Sequence, residues 1–177
     1  MPQKASKRKP RVVVDTSVLV AGISGFREPF VPDRNPSADV LHEWAGKNNF
    51  IWLVTEDILD EYKEVLKRLG VRSSLIGKVI NLIRDRAEAI KVRSSAEISP
   101  DPKGDAFCLC SESGDADFVV TLNPKDFPEE RLKSKIVLPI ELLKWTKRPS
   151  DTPQEELGLL TSDHYGNSSD DGLTKRC

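Results

Sequence analysis

The chain is poor in the residues that build metal and redox centres, with two histidines and three cysteines among 177 residues. Cys108 and Cys110 stand at C-x-C spacing inside an apolar run and Cys177 ends the chain, with only His42 and His164 to supplement them. Structural zinc calls for four ligands at C-x2-C or similar spacing, so buried thiols in a reducing compartment are expected instead. Charge of one sign is also missing. Lys plus Arg total 27 against 28 for Asp plus Glu, a net charge of -1 that exerts no global pull on nucleic acid, acidic substrates or anionic membrane. Long apolar runs are absent, none approaching the ~20 residues that span a bilayer, and "MPQKASKRKP" has no apolar centre of a secretory signal. A cytoplasmic protein without membrane contact is expected. There is no glycine-rich phosphate loop either, because "GISGF" lacks the lysine such a loop requires.

What is present is a chain long enough for one domain that buries roughly two-thirds of its unfolded surface. A basic arm over residues 1–10 carries Lys4, Lys7, Arg8 and Lys9. The folded domain is expected over 11–149. Residues 150–177 hold many acids and small polar residues and read as a disordered acidic tail. Between these limits the strand-like runs "RVVVDT", "NFIWLVT", "AIKV", "DFVVTL" and "KIVLP" are separated by helical patterns. That alternation predicts an α/β fold with a mainly parallel sheet. "PSADVLHEWAGK" predicts a helix capped by Ser37. "TEDILDEYKEVLKRLG" predicts one from a Thr cap to Gly70 with Ile58, Tyr62, Val65, Leu66 and Leu69 as its stripe. "SSLIGKVINLIRDRAEAI" predicts another, buried through Leu75, Ile76, Val79, Ile80 and Ile83, and "AFCLC" a short one capped by Asp105.

Residues 101 to 127, "DPKGDAFCLCSESGDADFVVTLNPKDF", place five aspartates around two apolar runs. Ligands of open parallel sheets collect beyond the C-terminal ends of the strands. Asp15 closes the "VVV" strand there, either as a helix cap before Thr16 and Ser17 or as part of a site. Thr121 and Asn123 end a second strand, with Asp126 close behind. On the long helix Glu61 lies roughly 95° from the centre of the apolar stripe, while Asp60 and Glu64 lie roughly 155° or more away, so Glu61 reaches inward. Asp105 has a role as a cap and Asp101 as a turn residue before Pro102. Each acid has a structural explanation taken singly, yet a doubly wound fold can bring them to one crevice. Two carboxylates about 4 Å apart repel by roughly 1 kcal/mol in water and roughly 4 kcal/mol at an effective dielectric of 20. A cluster of three or four therefore implies protons or a divalent cation. Oxygen ligands select Mg2+ or Mn2+, and the natural chemistry is hydrolysis at phosphate.

The stretches "RVVVDTSVLVAGI", "LVTEDILDEYKEVLKRLG" and "SPDPKGDAFCLCSESGDADFVVTLNPKDFP", in that order and spacing, resemble a PIN domain over Arg11 to about Trp145. The resemblance implies a three-layer fold with helices around a mainly parallel sheet. It also implies a carboxylate cluster binding Mg2+ or Mn2+, and endonuclease action on single-stranded RNA. Asp15 is then the first acid and Glu61 the second. The third lies in the D-P-x-x-D region, so Asp15, Glu61 and Asp105 are the expected catalytic residues and Asp101 joins them as a metal ligand. Thr16, Ser17, Thr121, Asn123 and Asp126 are the expected auxiliary residues. Many members are toxins of toxin–antitoxin pairs, which makes an antitoxin a partner to expect, and homodimers are common. Two departures from the pattern stand out: Gly104 occupies a position where relatives commonly carry an acid, and "TLN" replaces T-x-D. They favour an alternative in which the domain binds RNA or protein without cutting. A phosphotransferase with an aspartyl nucleophile fits less well, because Ser17 stands where its second Asp belongs.

Overall fold

A computed structural model describes residues 8–24, 31–92 and 102–147, without the side chains of 102–104. All lie in a compact unit over residues 1–147; a second unit, 148–177, falls outside the described residues, and with it the acidic tail.

Five strands form one sheet: β1 (Arg11–Val14), β2 (Ile51–Val54), β3 (Glu88–Ala89), β4 (Phe118–Val120) and β5 (Lys135–Val137). All neighbours are parallel, in the order β3-β2-β1-β4-β5. The helices are α1 (Thr16–Ser24), α2 (Pro36–His42), α3 (Glu56–Arg68), α4 (Ser73–Arg86), α5 (Pro102–Ser113) and α6 (Pro139–Thr146). A π-helical turn, Glu43–Lys47, follows α2 directly. The chain runs outward from β1 through β2 to β3, then returns across the sheet by α5 to β4 beside β1. Consecutive residues of β2 reveal the two covered faces. Trp52 meets Trp44 and Tyr62 on one side, while Leu53 packs where a side chain at Gly114, just past α5, would collide with it. The result is the three-layer α/β fold expected.

Val12, Val13 and Val14 are completely buried, which explains the run without alternation: a central parallel strand is covered on both faces. On α3, Thr55 caps the first turn by accepting from the Ile58 N–H at 3.2 Å, and Gly70 ends the helix with φ +74°. The buried stripe is Ile58, Leu59, Tyr62 and Leu66; Leu69, assigned to it from the sequence, is exposed because it lies in the closing turn. On α4 only Ile80 and Ile83 of the expected stripe are buried. Two caps also differ. Asn35, not Ser37, caps α2, its side chain accepting from the Ser37 and Ala38 N–H groups ahead of Pro36. The helix α5 starts at Pro102, which puts Asp105 inside the first turn and not at the cap. The third strand is two residues long and precedes most of "AIKV". Burial pushes the Cys108 and Cys110 thiols up to about 12, so both stay protonated at neutral pH.

Candidate active site

The order of the strands reverses between β1 and β4, and there the first residue after each strand meets the other. The Asp15 N–H continues the ladder by donating to the Val120 carbonyl at 2.9 Å. Its own carbonyl accepts from Val18 and Leu19 at 3.0 and 3.3 Å, which starts α1. Its carboxylate does something different. Oδ2 accepts from the Thr121 hydroxyl at 2.8 Å and from the Ser17 hydroxyl at 2.5 Å. Each hydroxyl is oriented in turn: the Ser17 Oγ accepts from the Leu122 N–H at 3.2 Å and the Thr121 Oγ1 from the Asn123 N–H at 3.0 Å. The side chain of Asp15 thus joins the two strand ends, while the start of the helix is handled by its backbone. Both hydroxyl bonds fall on one oxygen, and Oδ1 takes part in neither.

Glu61 reaches this place from α3. Half-buried, it accepts from the Thr16 hydroxyl at 3.2 Å, whereas Asp60 is exposed and paired with Lys63 at 2.9 Å, and Glu64 is exposed. The helical phase expected from the sequence is therefore the observed one. Tyr62, the next residue, holds the elements together. Its hydroxyl donates to the carbonyl of Val14, the residue before Asp15. Its ring lies 6.3 Å from the ring of Phe107 on α5, two positions past Asp105. Burial raises the Tyr62 hydroxyl well above its ordinary value, and the charges of Asp15 and Glu61 push it the same way. Sequence reasoning placed Tyr62 in the apolar stripe and missed this role; its place beside Glu61 was the only available signal.

Hydrogen bonds thus join Asp15 to Ser17 and Thr121, with Asn123 added through its backbone, and separately join Thr16 to Glu61; the peptide bond from Asp15 to Thr16 sets the two groups side by side. Asp105 stands half-buried on the adjacent helix, near enough to Cys108 to help raise that thiol. Asp126 lies on an exposed turn, its N–H bonded to the Asn123 carbonyl at 3.1 Å. Asp101 lies outside the described residues. Among the described residues, no three Asp, Glu, His or Cys side chains form a group that could hold a metal ion. The donors that do meet, two carboxylates and three hydroxyls, are all oxygen and match a hard cation in kind.

The family model for the PIN domain matches residues 11–125. The chain belongs to the PIN domain family. The matched span contains Asp15, Glu61, Asp105, Thr121 and Asn123 and ends just before Asp126. PIN domains are generally nucleases. Among solved structures, the chain is similar to one in the crystal structure of VapBC2 from Rickettsia felis bound to a DNA fragment from their promoter. The TM-score is 0.49 and the identity 14%, covering 72% of this chain and 98% of that one. No curated protein matches the sequence. Among the described residues of this PIN domain, no helix is long and apolar enough to cross a membrane.

Proposed function

We propose that this PIN domain is an Mg2+- or Mn2+-dependent endoribonuclease that hydrolyses phosphodiester bonds in single-stranded RNA, as the toxin of a toxin–antitoxin pair. The observation that carries the reading is the carboxylate of Asp15 at the reversal of strand order, fixed by two hydroxyls and paired with no described cation, with Glu61 hydrogen-bonded to the next residue in the chain, Thr16. By the family resemblance Asp15, Glu61 and Asp105, with Asp101, would hold the ion, although the described residues form no three-acid group. A bound divalent ion supplies neutralisation of phosphoryl charge and a water of lowered pKa. The chain's own part is to orient acceptors. Ser17 and Thr121 fix one oxygen of Asp15, Thr16 fixes Glu61, and Asn123 and Asp126, both exposed, would be available to a strand of RNA. The toxin role, and with it an antitoxin or a second copy as partner, rests on the family resemblance of the three sequence stretches.

A second reading is a PIN domain that binds RNA or protein without cutting. It is favoured by Gly104, by Asn123, and by the lack of a three-acid group among the described residues. Cleavage of a single-stranded RNA with Mn2+, and its loss with chelator, separates the two. Binding without cleavage at any divalent metal concentration would establish the second.

A further inference from the structure

On the flank of α3 away from Glu61, a cleft of about 360 Å3 opens against α4. Lys63 and Lys67 lie one turn apart on α3, and Ser73, Gly77, Asn81 and Arg84 follow one face of α4. The apolar side is Ile76 and the buried Ile80. At Gly77, which lines the cleft, an added Cβ would meet nothing within 4 Å, so space is open there down to the helix backbone. Its volume falls in the range of small-ligand pockets.

The chemistry of the rim is one-sided. Lysine and arginine only donate hydrogen bonds, so the preferred occupant is rich in acceptors and negative. Lys63 and Arg84 are paired with Asp60 and Glu56 at 2.9 and 2.8 Å, but the acids are 70% and 72% exposed, and such pairs give way at little cost. Lys67 stands at the other end, where the first turn of α4 holds no acid. A phosphate bound at that end would have Lys67 and the Ser73 hydroxyl as donors. The half-buried Ile76 offers a planar apolar group a surface, and the amide of Asn81 both donates and accepts, as the edge of a nucleobase requires. We propose that the α3/α4 cleft binds a nucleoside monophosphate, at a site separate from the Asp15 carboxylate and independent of whether the protein cuts RNA.

Calorimetric titration of the full chain with adenosine monophosphate, in chelator so that no metal bridges phosphate to the acids, tests this. Adenosine and inorganic phosphate serve as separate arms. One site is expected, at least about tenfold tighter for the nucleotide than for either part. Lys67→Glu should weaken it by about tenfold or more. Gly77→Leu should abolish it by filling the cleft, with no fall in melting temperature, since leucine is the better helix former. Asp15→Asn should leave it unchanged. Nucleotide binding no tighter than that of phosphate overturns the proposal. So does binding that survives both cleft substitutions, and so does binding lost in Asp15→Asn, which would place the nucleotide at the carboxylates.

Discussion

The two ends of β1 handle charge in opposite ways. At its start the guanidinium of Arg11 forks onto Glu88 at 2.8 and 3.0 Å and donates to the Gly114 carbonyl at 2.8 Å, while Asp117 accepts from the Arg11 N–H at 2.8 Å and pairs with Arg8 at 2.7 Å. Both of these acids have an arginine. Just past the other end, Asp15 is held by two neutral hydroxyls, and no described cation pairs with it. A carboxylate so placed keeps its negative charge available to something that arrives from outside. On the proposed function, one end of the strand serves structure and the other chemistry, and substitutions at each end test that contrast.

The largest effect is expected from Asp15→Asn, which should lower RNA cleavage by at least about 10²-fold. The variant should melt at or above the wild type without metal, because one repelling charge is gone. An active, metal-dependent Asp15→Asn protein would return Asp15 to a plain structural role. Glu61→Gln should lose cleavage to a similar degree while Glu64→Gln stays near wild type. Equal losses at the two positions would mean that α3 is turned differently from the structure described here. Smaller is the effect of Tyr62→Phe. It keeps the ring against Phe107 and Trp52 but removes the donor to the Val14 carbonyl, costing roughly 1–2 kcal/mol by thermal or urea melting. Its cleavage rate should fall more than the folded fraction does, since the carbonyl it frees belongs to the peptide that carries Asp15.

Smallest is Arg11→Met, at the opposite end, with a cost of about 1 kcal/mol and cleavage per folded molecule unchanged. The acid side adds a check. Arg11 holds the Glu88 carboxyl below its usual 4.5, so the pair's contribution is complete above that value and is lost as the pH falls through the lowered folded one. The stability gap between wild type and Arg11→Met should therefore narrow below pH 4.5. A gap that widens on acidification would mean that Glu88 is not held by Arg11.

Much of this arrangement was legible in the residues because the physics acting there is local or periodic. Three valines in a row fit a strand covered on both faces, which places an acid directly after it at the strand's C-terminal edge. Glu61 was separable from Asp60 and Glu64 because helical phase is a matter of arithmetic. The start of α5 expected from the residues is wrong. Asp105 has the chemistry of a cap, but a proline favours the first helical position and Pro102 takes it. Ser37 is likewise the wrong cap for α2, because a proline favours the first helical position and so points to the residue before Pro36, Asn35. The role of Tyr62 was hidden for another reason. A buried tyrosine in an apolar stripe looks like core, and its hydroxyl's partner is a carbonyl 48 positions away that only the fold brings near.

The central claim, that Asp15 lies in a site for a divalent ion, is tested most directly by the melting temperature of the full chain in Mn2+ against Na+ at matched ionic strength. Binding only to the native state at 100 times the dissociation constant adds about 2.7 kcal/mol, a rise of several degrees for a domain of this size. The rise should be specific to Mn2+, disappear in Asp15→Asn and persist in Glu64→Gln. Equal responses to Mn2+ and Na+ up to millimolar metal, or a rise that survives Asp15→Asn, would contradict the metal site and leave a PIN domain that binds without cutting.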